Sequence, residues 1–341
     1  MKAATIQRFG PPEVLTIKEV PEPVPGDSEV LVHTKAIGLN FADVFARLGY
    51  YPAIPRPPFV PGIEVAGVVE EKGKAVRHLN VGDRVLAFTR QKGYAEYVAV
   101  PSGQAVRIPK KMGFQEAAAF GVTALTAYHG LVTLGGMKKG SHVLLHAAAG
   151  GVGTMSLQLC KHVGAAVHAT VGSDQKVALV RSLGAATITN YTIDDFVEPV
   201  RRATEGRGVD IVFDSVGGRI IRKGWKLLAP MGRYVLYGFA AVTGEKGVAK
   251  IRAARESLAV PLIYPPSLVS KNVGLLGFNL YFLMEETLYL KETMKSLLKL
   301  YEQGVVRPII GHIYPFHDIA EAHRFLQSRK SVGKVVVTTE S

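Results

Sequence analysis

The chain has 341 residues, 48% of them hydrophobic, and 41 Lys and Arg against 28 Asp and Glu give it a formal net charge of +13. That apolar content excludes disorder, and the length exceeds what one core usually organises, so two domains are expected. The single cysteine, Cys160, excludes an internal disulfide framework and any site needing several thiolates, fits a reducing compartment and reads as a buried residue on a core helix.

The basic balance raises local concentrations of anions, whether phosphorylated cofactors, acidic lipids or nucleic acid, without choosing among them. No zinc-finger spacing and no basic run interleaved with aromatics accompanies it, so nucleic acid is not an expected partner. The amino-terminal MKAATIQRFG lacks a hydrophobic signal core, and the apolar run at 273–284 is about half of the roughly 20 residues a membrane-spanning helix needs. A soluble, cytoplasmic protein is the expectation.

Residues 1–122 are rich in valine, glycine and proline, with alternating stretches at 29–35, 65–70 and 94–100 separated by turn signals. This predicts a small, mostly β, barrel-like domain. From about 123 the texture changes to SHVLLHAAA as a buried strand, 152–163 as a helix, AAVHATV as a strand and 175–183 as a helix ending at Gly184. ATITN, the helical DDFVEPVRRATEG, the strand VDIVFDSVGG, a helix around Trp225 and the strand RYVLYG repeat the alternation. Strands alternating with helices imply right-handed crossovers and a parallel sheet covered on both faces, an α/β doubly wound dinucleotide fold. A further strand at 273–278 and an amphipathic helix at 285–303 complete a second domain expected over 123–307. The tail 308–341, β-like, then helical at 320–327 and ending in GKVVVTT, is expected to rejoin the first domain and leave a cleft between the two.

The first βα junction of the second domain reads Ala148-Ala149-Gly150-Gly151-Val152-Gly153. Gly150 lets backbone approach a pyrophosphate, Gly153 lets helix and strand pack closely, and the helix amino terminus offers N–H donors and partial positive charge. Ala148 stands where the first glycine of the pattern would be. The end of the second strand, about twenty residues on, reports which dinucleotide binds. It carries Val171-Gly172-Ser173 with Lys176 one turn later, a hydroxyl and a cation that suit a 2′-phosphate, so NADP(H) is favoured over NAD(H). Asp174 is the complication, since it can accept ribose hydrogen bonds or cap the next helix.

Taken together, GLNFADVFARLGYYP, PGIEVAGVV, VGDRVLA, HAAAGGVG, ATVGSDQK, FDSVGG and VGKVVV stand in an order that resembles the medium-chain dehydrogenase/reductase superfamily over nearly the whole chain. Within it the chain is similar to the zinc-free quinone oxidoreductase, or zeta-crystallin-like, branch. KGWKLLAPMGRYVLYG and YPFHDIAEAHRFLQSRKSVGKVV look closer still to the vesicle amine transport protein homologues. The resemblance implies a GroES-like domain of 1–122 completed by 308–341, a Rossmann domain, NADP(H) as cofactor and a homodimer in which the sheet edge near 273–278 pairs with its mate.

Zinc-dependent members need a catalytic Cys, a Gly-His-Glu motif and a four-cysteine lobe. Here the catalytic cysteine position falls in the Asn40 region, Ile63 stands where the histidine would be, and the lobe is missing, so no metal is expected. His146, on a core strand, reads as a satisfied buried imidazole. Hydride delivered to a simple ketone creates an alkoxide that calls for a Lewis acid or strong proton donor, whereas a quinone or α,β-unsaturated carbonyl spreads the charge. Reduction of quinones or enones is therefore expected.

By the same resemblance Asn40 lies near nicotinamide and ribose, and Asp43 orients a water or caps the following helix. Phe45 replaces a tyrosine of several relatives, leaving Tyr50 or Tyr51 as substitute donors. The remaining cofactor contacts are Thr126, opening a connecting helix, and Ala149, Gly150, Gly151, Val152 and Gly153 in the turn. Ser173, Lys176 and Tyr191 follow on the adenine side, then Ser215, Tyr237, Gly238 and Phe239 at strand ends, and Lys334 in the last strand. Finally, nine Lys or Arg between 219 and 256 face only Glu245 and Glu256. They read as a solvated basic face, or as a surface for an anionic substrate or acidic membrane in a protein with little or no catalysis.

Overall fold

The computed structural model describes residues 1–51, 54–242 and 249–339, with the backbone alone for 249–253. The chain forms two compact units, Met1–Leu125 with Leu280–Ser341, and Thr126–Asn279.

The first unit begins with an antiparallel pair, β1 (Lys2–Ile6) and β2 (Leu15–Glu19). Its main sheet is built on the long strand β3 (Glu29–Leu39), whose residues are buried on both faces. That strand pairs antiparallel with β4 (Glu64–Lys72), which continues to β5 (Arg84–Phe88) and, by way of β5, to β7 (Ala105–Arg107); β6 (Tyr97–Pro101) also pairs with β3. Ile37, Leu39, Val65, Val85, Val98 and Val100 fill the interior. The valine-rich alternation thus forms the expected β unit, since branched side chains pack well on a pleated surface.

In the second unit six parallel strands stand in the order β10-β9-β8-β11-β12-β13. These are β8 (His142–Leu145), β9 (Ala166–Val171), β10 (Thr187–Asn190), β11 (Val209–Asp214), β12 (Leu228–Leu236) and β13 (Gly274–Gly277). The strand order reverses at β8, which lies between β9 and β11, and the carboxyl end of that strand is where such sheets hold ligands.

β14 (Ile310–Pro315) pairs parallel with β15 (Lys334–Thr338), which joins β3 antiparallel in the register Val335 to Leu39. One assignment is corrected: the helix Thr287–Glu302, expected in the second domain, belongs to the first unit, so the boundaries fall at 125/126 and 279/280 instead of 122/123 and 307/308. Its apolar stripe, Leu290, Met294, Leu297, Leu298 and Tyr301, is buried, the Tyr301 hydroxyl donates to Glu116 at 3.0 Å, and just before it Gln104 donates to the Met284 carbonyl at 3.3 Å. An amphipathic stripe announces that a helix will be buried, but not against which sheet.

Among the described residues one helix is longer than the apolar run at 273–284. Phe114–Leu134, with a mean hydropathy of 1.3, is long and apolar enough to cross a membrane by composition, yet 78% of that window is buried in the fold, as in a core helix. The expected boundary at 122/123 cuts this run and hides its length.

Candidate functional site

In the second unit, β8 leads directly into the turn and then into the helix Gly151–Val163. Gly150 is the residue before the first helical turn, with φ −77° and ψ 176°, and having no side chain it cannot cap that turn. The first N–H groups of a 13-residue helix therefore lack a side-chain acceptor, which leaves them for an anion. A Cβ at Gly153 would lie 2.5 Å from both the Ala147 and Ala148 carbonyl oxygens, so only glycine lets the helix seat on the turn. The left-handed backbone falls on Ala147, φ 53°, and not on Ala148, which explains why alanine is tolerated at the pattern's first position.

At the end of β9, Ser173 adopts an extended conformation ahead of a short turn of helix, Asp174–Lys176. A Cβ on Gly172 would come within 2.6 Å of the Tyr191 hydroxyl, which places Tyr191 beside Gly172 and Ser173 at this strand end. Of the two roles considered for Asp174, the structure shows neither a side-chain cap nor a bare carboxylate: its Oδ1 accepts from Asn190 Nδ2 at 2.8 Å. Lys176 is half-buried, and burial pushes its ammonium below its ordinary range, so a bound phosphate dianion would relieve the cost of holding that charge.

At the neighbouring strand ends, buried Asp214 accepts from the Val216 and Gly217 amides and from the Tyr234 hydroxyl at 2.7 Å, which fixes the loop that begins at Ser215. A Cβ at Gly238 would sit 2.7 Å from the Ser215 carbonyl, and Phe239 covers Gly217. Tyr237 stacks on Phe213 with ring centroids 4.2 Å apart, and burial raises its phenol above the ordinary range. Ser215, Tyr237, Gly238 and Phe239 thus gather at the ends of β11 and β12, and the turn and Ser173 lie at the ends of β8 and β9. Thr126 does not open a helix. It lies near the carboxyl end of Phe114–Tyr128, which continues as a π-helical segment, His129–Leu134, because the chain stays helical across the expected boundary.

The first unit holds a second constellation. Lys334 Nζ donates to Glu64 Oε2 at 2.7 Å and to Asn40 Oδ1 at 2.6 Å, with Lys334 and Glu64 both buried. Glu64 Oε1 accepts from the Val122 amide at 2.5 Å, and Asn40 Nδ2 donates to the Gly38 carbonyl and to Glu64. Both amide hydrogens of Asn40 are thereby engaged inside the protein, and its Oδ1 accepts from Lys334. Asp43 caps the helix Phe41–Leu48, its Oδ2 accepting from the Asn40 amide at 2.8 Å, and burial raises its carboxyl to about 7. Glu64, the hub of this group, escaped the sequence reading; its one mark is a carboxylate between Ile63 and the apolar run 65–69.

A recess open to solvent in the same unit is lined by Tyr51, Ile54, Phe59, Ile63, Arg90 and Tyr281, among others, with Asp43 on its wall. Tyr51 meets Tyr281 edge-on at 5.6 Å, and Arg90 pairs with Glu285 at 2.5 Å. The recess is lined by Tyr51 and not by Tyr50, which is 44% exposed outside it. The left-handed Gly49 ends the helix just before the two tyrosines. Ile63 presents hydrocarbon where zinc-dependent relatives have an imidazole, and among the described residues no three His, Cys, Asp or Glu gather as metal ligands.

The basic stretch is partly neutralised. Arg219 pairs with buried Glu256 and Lys223 with Asp195, while Arg222, Lys226 and Arg255 are exposed. Glu245 and Lys246 lie outside the described residues, as do the side chains of Lys250 and Arg252.

Residues 26–110 match the alcohol dehydrogenase GroES-like domain, and 183–337 match the zinc-binding dehydrogenase model. The synaptic vesicle membrane protein VAT-1 homolog of Rattus norvegicus is 38% identical over 92% of this chain and 78% of its own; the chain spans 66% of the Danio rerio homolog. A 2-haloacrylate reductase of Burkholderia is 32% identical over 99% of both chains. Among solved structures, the Escherichia coli quinone oxidoreductase complexed with NADPH superposes with a TM-score of 0.89 at 30% identity, covering 99% of this chain and 100% of that one. With a GroES-like unit, a parallel six-stranded Rossmann sheet and a glycine-rich turn after β8, the chain belongs to the medium-chain dehydrogenase/reductase oxidoreductases, in the zinc-free quinone oxidoreductase branch near the VAT-1 homologues.

Proposed function

We propose that this chain is an NADPH-dependent reductase that delivers hydride to conjugated acceptors, quinones or α,β-unsaturated carbonyls. The observation that carries the acceptor class is the recess beside Ile63, whose walls are mainly apolar and aromatic and, among the described residues, offer no set of metal-ligating side chains. A simple ketone would leave its alkoxide there without a Lewis acid, whereas a conjugated oxyanion needs only water or a weak donor. The relatives named quinone oxidoreductase and 2-haloacrylate reductase both have conjugated acceptors in their names.

When bound, NADPH supplies the hydride. Ala149, Gly150, Gly151, Val152 and Gly153 hold the pyrophosphate, Ser173 and Lys176 the 2′-phosphate, and Tyr191 packs against the adenine. Thr126, Ser215, Tyr237, Gly238 and Phe239 shape the nicotinamide side. Asn40 and Lys334, locked to Glu64, hold the loop that presents Asp43, and Tyr51 replaces Tyr50 as the phenol that faces the acceptor. We place the protein in the cytoplasm as a homodimer that pairs through β13. Among the described residues that strand pairs with β12 alone, and it carries the exposed Leu275.

The test is NADPH oxidation against ortho-quinones, para-quinones, enones and unconjugated aldehydes, with NADH in parallel. Turnover of conjugated acceptors with NADPH supports the reading; turnover of plain aldehydes alone overturns it. The name of the VAT-1 relatives and the exposed Arg222, Lys226 and Arg255 favour a second reading, attachment to acidic membranes with little catalysis. Co-sedimentation with anionic vesicles in low salt but not in high salt, together with silence across the acceptor panel, would select it.

A further inference from the structure

Burial leaves few polar atoms without partners in this protein, and most of them share one neighbourhood. Among the described residues the unpartnered buried side-chain atoms are Asp43 Oδ1, Arg47 Nε and Nη1, His323 Nδ1, Thr34 Oγ1 and His146 Nε2. The first four belong to a cluster in the first unit between the helix Phe41–Leu48, the loop carrying Tyr94 and the helix Ile319–Gln327. Arg47, Tyr94 and His323 are each 0% exposed and Asp43 is 1% exposed. The Tyr94 hydroxyl is 2.9 Å from His323 Nε2, while Arg47 Nη2 donates to Gln327 Oε1 at the half-buried end of the cluster.

Orphaned donors and acceptors at such depth are costly, and native proteins satisfy them with ordered water. We infer that internal water on these atoms completes a proton path from Gln327 through His323 and Tyr94 to Asp43 on the wall of the recess, and that this path supplies the proton consumed in each reduction. The inference rests on the reductase reading. The balance is one hydride from NADPH and one proton from solvent per acceptor reduced. Asp43 releases its carboxyl proton to water in the recess and thence to the oxyanion. Tyr94 passes its hydroxyl proton through internal water to the Asp43 carboxylate as its oxygen takes the Nε2 proton of neutral His323; Nδ1 takes a proton from internal water that solvent restores, and the His323 proton returns from Nδ1 to Nε2 through that water before the next turnover. No group gains or loses electrons in these hops.

The electrostatics suit the roles. Burial raises Asp43 to about 7, against the lowering effects of the Asn40 amide, Tyr94 and Lys334 and with a further rise from Glu64, so the carboxyl can both hold and release a proton near neutrality. Burial and the charge of Arg47 push His323 well below its ordinary value, which keeps it neutral and able to accept on one nitrogen while donating on the other.

The test compares wild type, Tyr94→Phe, His323→Gln and Asp43→Asn in the intact protein. For a conjugated acceptor the expected result is a fall in kcat of about 100-fold in Tyr94→Phe, with NADPH affinity unchanged. The pH dependence near 7 should disappear in Asp43→Asn. Infrared difference spectra should show a protonated-carboxyl band that is lost in Asp43→Asn and shifted in Tyr94→Phe. A smaller fall in kcat in His323→Gln, whose amide can hold water, than in Tyr94→Phe fits the path. If wild type turns over while Tyr94→Phe retains its kcat and pH profile, the path is wrong though the reductase reading stands. Silence of wild type on every acceptor overturns that reading, and an unshifted carboxyl band in Tyr94→Phe then rejects the path independently of turnover.

Discussion

Lys334→Met should destabilise the first unit severely, for a reason that can be worked from the geometry. At 2.7 Å and an effective dielectric of about 20, the attraction between Lys334 and Glu64 is about 6 kcal/mol, and removing two charges from water offsets most of it. The intact pair contributes little net stability, but deleting the ammonium leaves the fully buried Glu64 carboxylate with only the Val122 amide and a 3.3 Å contact from Asn40. Breaking such a pair costs about 3–5 kcal/mol, a fall in midpoint temperature on the order of 10 °C. Glu64→Leu should cost a similar amount, whereas Glu64→Leu combined with Lys334→Met should recover most of the loss, because no isolated charge remains. Urea unfolding of the wild type, both single variants and the double variant gives the coupling. Single costs below about 1 kcal/mol, or simple additivity, would refute the argument that this pair locks Asn40 in place.

Further outcomes follow from the second unit and from Asp43. Gly153→Ala should abolish NADPH binding by calorimetry while the fold persists by circular dichroism, since its Cβ would strike two carbonyl oxygens at 2.5 Å. Lys176→Ala should weaken NADPH by about tenfold, the order of one charge-assisted hydrogen bond, and leave NADH nearly unchanged; equal loss for both would remove Lys176 from the 2′-phosphate. Asp43 has a folded value of about 7 against an ordinary 3.8. The folded state therefore binds the extra proton, and stability should decline as pH rises from about 4 to 7 and level off above. Asp43→Asn should flatten that slope in urea titrations; an unchanged slope would mean the carboxyl is not held protonated.

What the sequence revealed was what local pattern determines. The turn at 148–153 sits between a strand and a helix in the chain itself, and Ser173 and Lys176 follow at a spacing set by one βα unit, so their arrangement could be read before any packing was known. The return of the tail was legible too, because GKVVVTT has the strand period and needs a sheet to join. Packing decided the rest. The helix Thr287–Glu302 advertises an apolar stripe without naming its partner. Whether Tyr50 or Tyr51 lines the recess is not written in the residues that follow Gly49. Glu64 looks like one more charge at the end of an apolar run until Lys334, 270 positions away, is brought beside it. His323 and Tyr94 meet across 229 positions, and no spacing rule connects them.

The most direct test of the central claim is to follow the hydride itself. With NADPH deuterated at the transferable position of nicotinamide C4 and an α,β-unsaturated ketone as acceptor, mass spectrometry should find one deuterium per turnover at the β-carbon of the saturated product. A second, exchangeable hydrogen should come from solvent. Saturated product without the label, or label carried to the carbonyl carbon as an alcohol, would contradict a conjugate reductase.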